Sequence, residues 1–285
     1  MDYANPQALV STDWLAKHLN DAHVRVIDAT YHLPHADRDA YEEYTYRHIP
    51  GASYFPIDEI ADISVMLPHM LPDAKIFAAE VGKMGIDNDT HVIVYDSNGG
   101  YMAAARVWWT FRVFGHMNIS VLDGGLPKWT AEKHPVEDGE ATPAPKTFSA
   151  TKNLKLVRDR AQILANIESV GEQVIDARSP GRFEGADHEP RPTERRGHIP
   201  GSFNLPFPKV MKPKDGFAMA DAQTIKAALE EIGVDLSKPI TASCGSGVTA
   251  SVIAFAAHLI GLDDVAIYDG SWAEWGNDPD VPIAP

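Results

Sequence analysis

Residues 239–260 read PITASCGSGVTASVIAFAAHLI. The run PITAS is short, apolar and β-branched, which is typical of a strand buried on both faces of a sheet. CGSGVT at 244–249 contains two glycines, which let the backbone turn tightly. The residues from 248 to 260 are nearly all apolar and predict a deeply packed helix. A strand, a tight loop and a buried helix in this order predict an α/β fold with a mostly parallel sheet.

The same series of motifs occurs twice along the chain. Four pairs lie 146 to 150 residues apart, in the same order: VIDA at 26–29 and 174–177, HIPG at 48–51 and 198–201, HVIVYDSNGG at 91–100 and PITASCGSGV at 239–248, and VLDGGLPKW at 121–129 and IYDGSWAEW at 267–275. A near-constant offset indicates two copies of one fold. We therefore predict domains at 1–135 and 153–285, joined at 136–152 by an extended linker rich in Pro, Ala, Thr and charge.

Composition excludes several classes of protein. The 285-residue chain has a net charge of −15, which disfavours nucleic acid and anionic membranes as partners. It has no apolar run of about 18 residues and no secretory signal at its start, so we expect neither a membrane span nor export. One cysteine and twelve histidines without metal-binding spacing predict no disulfide, no metal and no cofactor. A lone cysteine fits a reducing compartment, which predicts the cytosol.

Cys244 is the candidate nucleophile. It follows a strand at the sheet edge where ligands bind in open α/β folds, and a helix starts directly after its loop. The inward-pointing amides of such a loop and the helix dipole both favour a thiolate, which is the reactive form. The residue of the first copy that corresponds to Cys244 is Asp96, which cannot serve as an equivalent soft nucleophile. One copy is therefore predicted to be active and the other inert, with the inert copy lining the cleft.

These motifs resemble the tandem rhodanese-domain sulfurtransferases. The resemblance rests on CGSGVT after a strand, HIPG in both halves and DGSWAEW at 269–275, and it spans nearly the whole chain. It implies two tandem rhodanese-like domains, the first without catalytic function. CGSGVT matches the loop of the 3-mercaptopyruvate sulfurtransferases at all six positions, whereas thiosulfate sulfurtransferases have basic residues there. The resemblance thus implies 3-mercaptopyruvate as a small-molecule sulfur donor, and a thiol, such as that of a thioredoxin-like protein, or cyanide as acceptor.

The same resemblance implies roles for particular residues. Catalytic roles fall to Cys244, Ser246 and Asp39, the last in RDAYEEYTYRHIPG at 38–51, where serine and aspartate would help to move a proton. Substrate-binding roles fall to Arg182, Arg191, Gly245, Gly247, Val248, Thr249 and His48. Arginine binds carboxylates bidentately, which suits 3-mercaptopyruvate. The arginines could equally form ion pairs with nearby acidic residues, and recurrence of HIPG in the inert copy favours a role for its histidine in the fold.

Two other functions remain open at this stage. A thiosulfate sulfurtransferase would, like a 3-mercaptopyruvate sulfurtransferase, carry the sulfur as a persulfide on Cys244, although Gly245, Ser246 and Val248 are neutral where a small dianion prefers basic groups. A non-enzymatic rhodanese-like binding module is less favoured, because only the first copy lacks the cysteine. A C-x5-R phosphatase is disfavoured, since Ala250 stands where the arginine would be.

Overall fold

The computed structural model describes residues 2–98, 102–212 and 218–285. The first copy forms a parallel sheet in the order β1-β5-β4-β2-β3. Its strands and helices are β1 (Leu9–Val10), α1 (Thr12–His18), β2 (Val24–Asp28), α2 (Ala40–Tyr46), β3 (Ser53–Tyr54), α3 (Ala74–Lys83), β4 (His91–Tyr95), α4 (Met102–Val113), β5 (Ile119–Leu122) and α5 (Gly125–Ala131).

The second copy repeats this arrangement. Its parallel sheet has the order β6-β12-β11-β7-β8, which matches the first sheet strand for strand. The elements are β6 (Val157–Arg158), α6 (Arg160–Ser169), β7 (Gln173–Asp176), α7 (Pro180–Phe183), β8 (Phe203–Asn204), β9 (Met211–Lys212), β10 (Ala218–Met219), α8 (Ala222–Glu231), β11 (Ile240–Ser243), α9 (Val248–Leu259), β12 (Ala266–Tyr268) and α10 (Ser271–Trp275). The predicted α/β fold of two tandem parallel-sheet domains is confirmed.

The two copies share one apolar core. Helices α4 and α9 are almost entirely buried and pack against each other, with the rings of Trp108 and Phe255 in edge-to-face contact at 4.9 Å. Buried residues of both sheets, such as Val94 and Ala242, belong to the same cluster. Such a large apolar contact holds the copies in a fixed relative position, because separating it would expose many buried side chains.

The connecting segment 136–152 has no helix or strand assigned, but it packs against the first copy. Lys146 donates its amide to the Gly82 carbonyl at 2.9 Å, and the Thr151 amide donates to Phe114 at 3.0 Å. Phe148 is buried among the aromatic rings of that core. The segment is thus held against the first copy by hydrogen bonds and by the buried ring of Phe148. The domain limits at 135 and 153 stay predictions.

Within the described ranges, no helix is both long and apolar enough to cross a bilayer.

Candidate active site

Cys244 lies where strand β11 ends. It is 2% exposed, its amide donates to Ser271 Oγ at 3.3 Å, and its carbonyl accepts from the Trp272 amide at 2.9 Å. The loop then turns through Gly247, whose φ of +78° is costly for any residue with a side chain, and α9 begins at Val248. The backbone is therefore fixed on both sides of the thiol.

A cavity of about 160 Å³ opens beside this thiol, between the two copies. Among the predicted site residues it is lined by Arg182, Arg191, Cys244, Gly245, Ser246, Val248 and Thr249, and from the first copy by Tyr31, Leu33 and Met102. Its size suits a ligand much smaller than a drug molecule, since pockets for those run to about 300–1,000 Å³. The first copy thus contributes side chains to the wall of this cavity, whereas its lack of catalytic function stays a prediction.

Arg182 is held by Glu189 at the edge of the cavity. Its Nε lies 3.1 Å from Glu189 Oε2, and its Nη2 bonds to the same oxygen. The other oxygen of Glu189 accepts from the buried Arg178 at 2.8 Å. A Cβ on Gly245 would lie 2.7 Å from Arg182 Nη2. Glycine at this loop position thus leaves room for the guanidinium above the loop.

Arg191 joins the loop to the first copy. Its Nη2 bonds to the hydroxyl of Tyr31 and lies 2.9 Å from His69 Nε2, while its Nη1 lies 3.5 Å from Ser246 Oγ. The contact with Ser246 is at the long limit for a hydrogen bond. Arg191 therefore reaches both the serine of the loop and two aromatic side chains of the other domain.

His69 and Asp58 are site residues that the sequence reasoning missed. His69 is 4% exposed and has a φ of +59°, an uncommon conformation for a residue with a side chain. Its Nδ1 lies 2.7 Å from Asp58 Oδ1. Burial lowers the pKa of His69, whereas Asp58 opposes that shift. Burial acts to raise the pKa of Asp58, but the contact with His69 and the charge of Arg191 leave it below its usual value. A neutral imidazole with its proton facing Asp58 satisfies both neighbours.

Asp39 and His48 are not brought to the cavity. The carboxylate of Asp39 is exposed and caps α2, accepting from the amides of Tyr41 and Glu42 at 2.8 and 2.9 Å. His48 is fully buried, with Nδ1 2.9 Å from the Tyr44 carbonyl and Nε2 3.2 Å from Glu137. The His48 ring also stacks on Tyr44. In the second copy, His198 likewise stacks on the Phe183 ring, and its Nδ1 lies 3.0 Å from the Phe183 carbonyl. The HIPG histidines thus share a packing arrangement.

Gly247 lies against the other domain rather than in the cavity wall. A Cβ there would lie 2.6 Å from Nη1 of Arg106, an α4 arginine that is 1% exposed. Arg106 pairs with Asp269 at 2.6 Å and bonds to the His69 carbonyl. Asp269 also accepts from the Leu71 amide at 2.9 Å. These contacts hold the segment carrying His69 against the second copy, which contains Cys244.

Comparison with known proteins places the chain in a family. The model of the rhodanese-like domain matches residues 11–132 and again residues 159–278. The chain is a rhodanese-like protein. It is 44% identical to the 3-mercaptopyruvate sulfurtransferase of Homo sapiens, over 95% of this chain and 94% of that one. It is 46% identical to the thiosulfate sulfurtransferase of Bos taurus, over 94% and 92% of the two chains.

A solved structure agrees with this assignment. The 3-mercaptopyruvate sulfotransferase SseA from Escherichia coli has a TM-score of 0.85 to this protein at 36% identity, covering 93% of this chain and 98% of its own. Relatives named for 3-mercaptopyruvate and relatives named for thiosulfate are thus similar to this chain along nearly their whole length. Overall similarity therefore does not separate the two donors.

In the first rhodanese-like domain, Asp96 stands where the second has Cys244. Asp96 is fully buried, and its carboxylate accepts from the amides of Asn98 at 3.0 Å and Ala104 at 3.1 Å. Asp96 therefore supplies a carboxylate of the chain itself to the amide of Asn98 and to the amide of Ala104 in α4.

Proposed function

We propose that this protein is a sulfurtransferase that takes sulfur from 3-mercaptopyruvate onto Cys244 as a persulfide and releases pyruvate. The observation that carries the proposal is the pair Arg182 and Arg191 on the wall of the small cavity that holds Cys244. The donor has a carboxylate and a keto group that these guanidinium groups can bind. The loop 244–249 itself has no charged side chain apart from a Cys244 thiolate. We therefore expect the carboxylate end of the donor to lie against Arg182 and Arg191, which are outside the loop.

The first half of the reaction transfers one sulfur atom. The Cys244 thiolate attacks the donor sulfur, an S–S bond forms, and the C–S bond breaks with its electron pair moving to the carbon. The product is the enolate of pyruvate, which takes a proton at that carbon, while the outer sulfur keeps its own proton. Arg182 and Arg191 stabilise the negative charge that develops on the enolate oxygen. Thiolate nucleophiles and covalent intermediates of this kind give ping-pong kinetics.

Ser246 and the His69–Asp58 pair support this step. The serine hydroxyl faces the cavity beside Cys244 and can carry a proton to the enolate. His69 contacts Arg191 rather than Ser246, so we propose that Asp58 and His69 fix the position of Arg191, which in turn contacts the serine. We propose that this pair, rather than Asp39, supports the reaction, and that it does so by positioning Arg191.

The second half passes the outer sulfur to an acceptor. A thiol or cyanide attacks the terminal sulfur and restores the Cys244 thiolate. We propose a thiol, such as that of a thioredoxin-like protein, as the acceptor in the cell. The cytosol remains our proposed location, on the basis of the single free cysteine.

Donor preference is the direct test of this function. We expect kcat/KM for 3-mercaptopyruvate to exceed that for thiosulfate by at least about 10-fold with cyanide as the common acceptor, because differential binding of about 1.4 kcal/mol gives that factor. Steady-state rates of pyruvate release and thiocyanate formation provide the measurement. A preference for thiosulfate would replace the donor and keep the persulfide, and no transfer from either donor would favour the binding module.

Two separate aspartate substitutions test whether Asp58 and His69 position Arg191. We expect Asp58→Asn to lower kcat/KM for 3-mercaptopyruvate by about 10-fold, because His69 and Arg191 would be held less firmly. A loss of about 1.4 kcal/mol of transition-state stabilisation gives that factor. Asp39→Asn is the matched control and should change it by less than about 2-fold, since asparagine is as good a helix cap. The pH dependence of kcat/KM should shift only in Asp58→Asn. The reverse ranking of the two variants would return the role to Asp39.

A further inference from the structure

The contact between the two copies contains a pseudo-symmetric pair of hydrogen bonds. Asp269, in IYDGSWAEW, accepts from the Leu71 amide of the first copy at 2.9 Å. Its counterpart in VLDGGLPKW, Asp123, accepts from the Met219 amide of the second copy at 3.4 Å. Leu71 and Met219 are equivalent, because each stands two positions before the aspartate that caps α3 or α8. Each copy thus offers the same aspartate to the same segment of the other.

Arg106 breaks this symmetry on the side that carries Cys244. Its Nη2 donates to Asp269 Oδ1 at 2.6 Å and also bonds to the His69 carbonyl. Helix α9 is the counterpart of α4, and its sequence, VTASVIAFAAHL, contains no arginine or lysine. Helix α9 therefore gives the opposite half of the interface no matching cation.

The guanidinium of Arg106 joins several parts of the proposed site. Asp269 is followed by residues 271–272, which bond to the backbone of Cys244. Gly247 of the same loop lies so close that a Cβ there would be 2.6 Å from Arg106 Nη1. Because a guanidinium is planar and rigid, it fixes the distances between the groups that it contacts.

His69 is the contact of Arg106 that reaches the donor-binding side chains. Its φ of +59° is uncommon for a residue with a side chain, so its backbone must be held by its surroundings. Arg106 bonds to the carbonyl of His69, and Asp269 accepts from the amide of Leu71, two positions further on. The His69 ring in turn lies 2.9 Å from Arg191 Nη2. The Arg106–Asp269 pair therefore holds the backbone from which Arg191 is contacted.

We propose that Arg106 is a positioning residue for sulfur transfer. It holds His69, and through it Arg191, in register with the loop of the sulfur-carrying thiol. Arg106 is 1% exposed and does not line the cavity, so it acts through the backbone of the site and not on the donor. This inference rests on the proposed function, in which Arg191 binds the donor. Loss of Arg106 should therefore slow persulfide formation and spare persulfide discharge.

The charge of Arg106 also acts on His69. The imidazole is faced by Asp58, by Arg191 and by the ring of Tyr31, while Arg106 bonds to its carbonyl. Burial lowers the pKa of His69, Asp58 opposes this shift, and the charges of Arg191 and Arg106 add to the lowering. A protonated imidazole cannot accept a hydrogen bond from Arg191, so kcat/KM should fall on the acid side as His69 takes up a proton. Without the charge of Arg106, that fall should move to higher pH.

Two substitutions of Arg106 separate its charge from its geometry. Arg106→Gln should slow persulfide formation from 3-mercaptopyruvate by at least about 10-fold and change discharge to cyanide by less than about 3-fold. It should also move the acid limb of kcat/KM to higher pH. Arg106→Lys keeps the charge but not the planar fork, so it should slow formation by at least about 3-fold and leave the acid limb in place. Single-turnover rates and the pH profile of kcat/KM provide the measurements.

Arg112→Gln is the matched control for the loss of a buried cation from α4. Arg112 is 6% exposed, and its Cζ lies 4.8 Å from the ring centre of Trp108. We expect this variant to lower the melting temperature, but to keep the formation rate within about 2-fold and the acid limb in place.

Several results would overturn the proposal. These are an unchanged formation rate or an unmoved acid limb in Arg106→Gln, equal slowing of formation and discharge, or equal slowing of formation in Arg112→Gln. If Arg106→Gln does not fold, formation at the wild-type rate in Arg106→Lys would overturn it. A wild-type protein that transfers no sulfur from 3-mercaptopyruvate would reject the proposed function itself, and this inference with it.

Discussion

Cys244→Ser is expected to abolish sulfur transfer from both donors, with kcat reduced by at least about 10⁴-fold, as for the removal of other covalent nucleophiles. The serine oxygen cannot hold the transferred sulfur, so neither half of the ping-pong cycle can proceed. Initial rates with 3-mercaptopyruvate and with thiosulfate provide the measurement. Intact mass after incubation with donor should show one added sulfur in the wild type and none in the variant.

The fold should survive this substitution. The structure holds residue 244 through its backbone, by the Ser271 hydroxyl and the Trp272 amide, and both contacts remain in the variant. We expect the melting temperature to move by no more than a few degrees, because the change removes little buried volume. Activity in Cys244→Ser within about 10-fold of the wild type would contradict the persulfide mechanism.

The fold and the nucleophile follow from local sequence signals. A buried strand, two glycines and an apolar helix place Cys244 at the carboxyl edge of the sheet, and the structure has β11 and α9 on either side of the loop. The repeat predicts the second sheet because copies of one fold keep one strand order. The signals for the Cys244 loop lie within a few residues of it, and those for the second sheet lie in the repeated motifs of the first copy.

The residues around Arg191 could not be found in that way. His69 and Asp58 lie between β3 and α3, in a segment that contains none of the motifs repeated in the second copy. They come close to Arg191 only because the two domains pack against each other. The contact from Arg191 to Tyr31 spans 160 positions. Asp39 lies in a segment that resembles the family's catalytic motif. Its carboxylate instead caps the N-terminus of α2, as is common for an aspartate before a helix.

The structure also gives a physical reason for the neutral loop. Arg182 reaches over Gly245 and is held there by Glu189, so a cation is already present without a basic side chain in the loop itself. A side chain at 245 would have to displace that guanidinium. The loop and the arginines outside it line one cavity, and we expect the positive charge that meets the donor to come from Arg182 and Arg191.

Arg191→Ala is expected to have the second largest effect, lowering kcat/KM for 3-mercaptopyruvate by about 10²–10³-fold, which corresponds to about 3–4 kcal/mol of transition-state stabilisation. The variant loses a cation on the donor and leaves Tyr31 and His69 without their shared partner. Arg196→Ala is the matched control from the same exposed segment and should stay within about 2-fold of the wild type.

Separating the two half-reactions decides what Arg191 does. Because cyanide attacks the outer sulfur without any donor carboxylate present, discharge of a preformed persulfide should change by less than about 3-fold in Arg191→Ala, while its formation from 3-mercaptopyruvate slows by the full factor. Single-turnover measurements of both steps provide the comparison. If discharge slowed as much as formation, Arg191 would be holding the Cys244 loop through Ser246 and not binding the donor. If neither step changed, the carboxylate would have to be bound by Arg182 alone, and the donor assignment would depend on the arginine above Gly245.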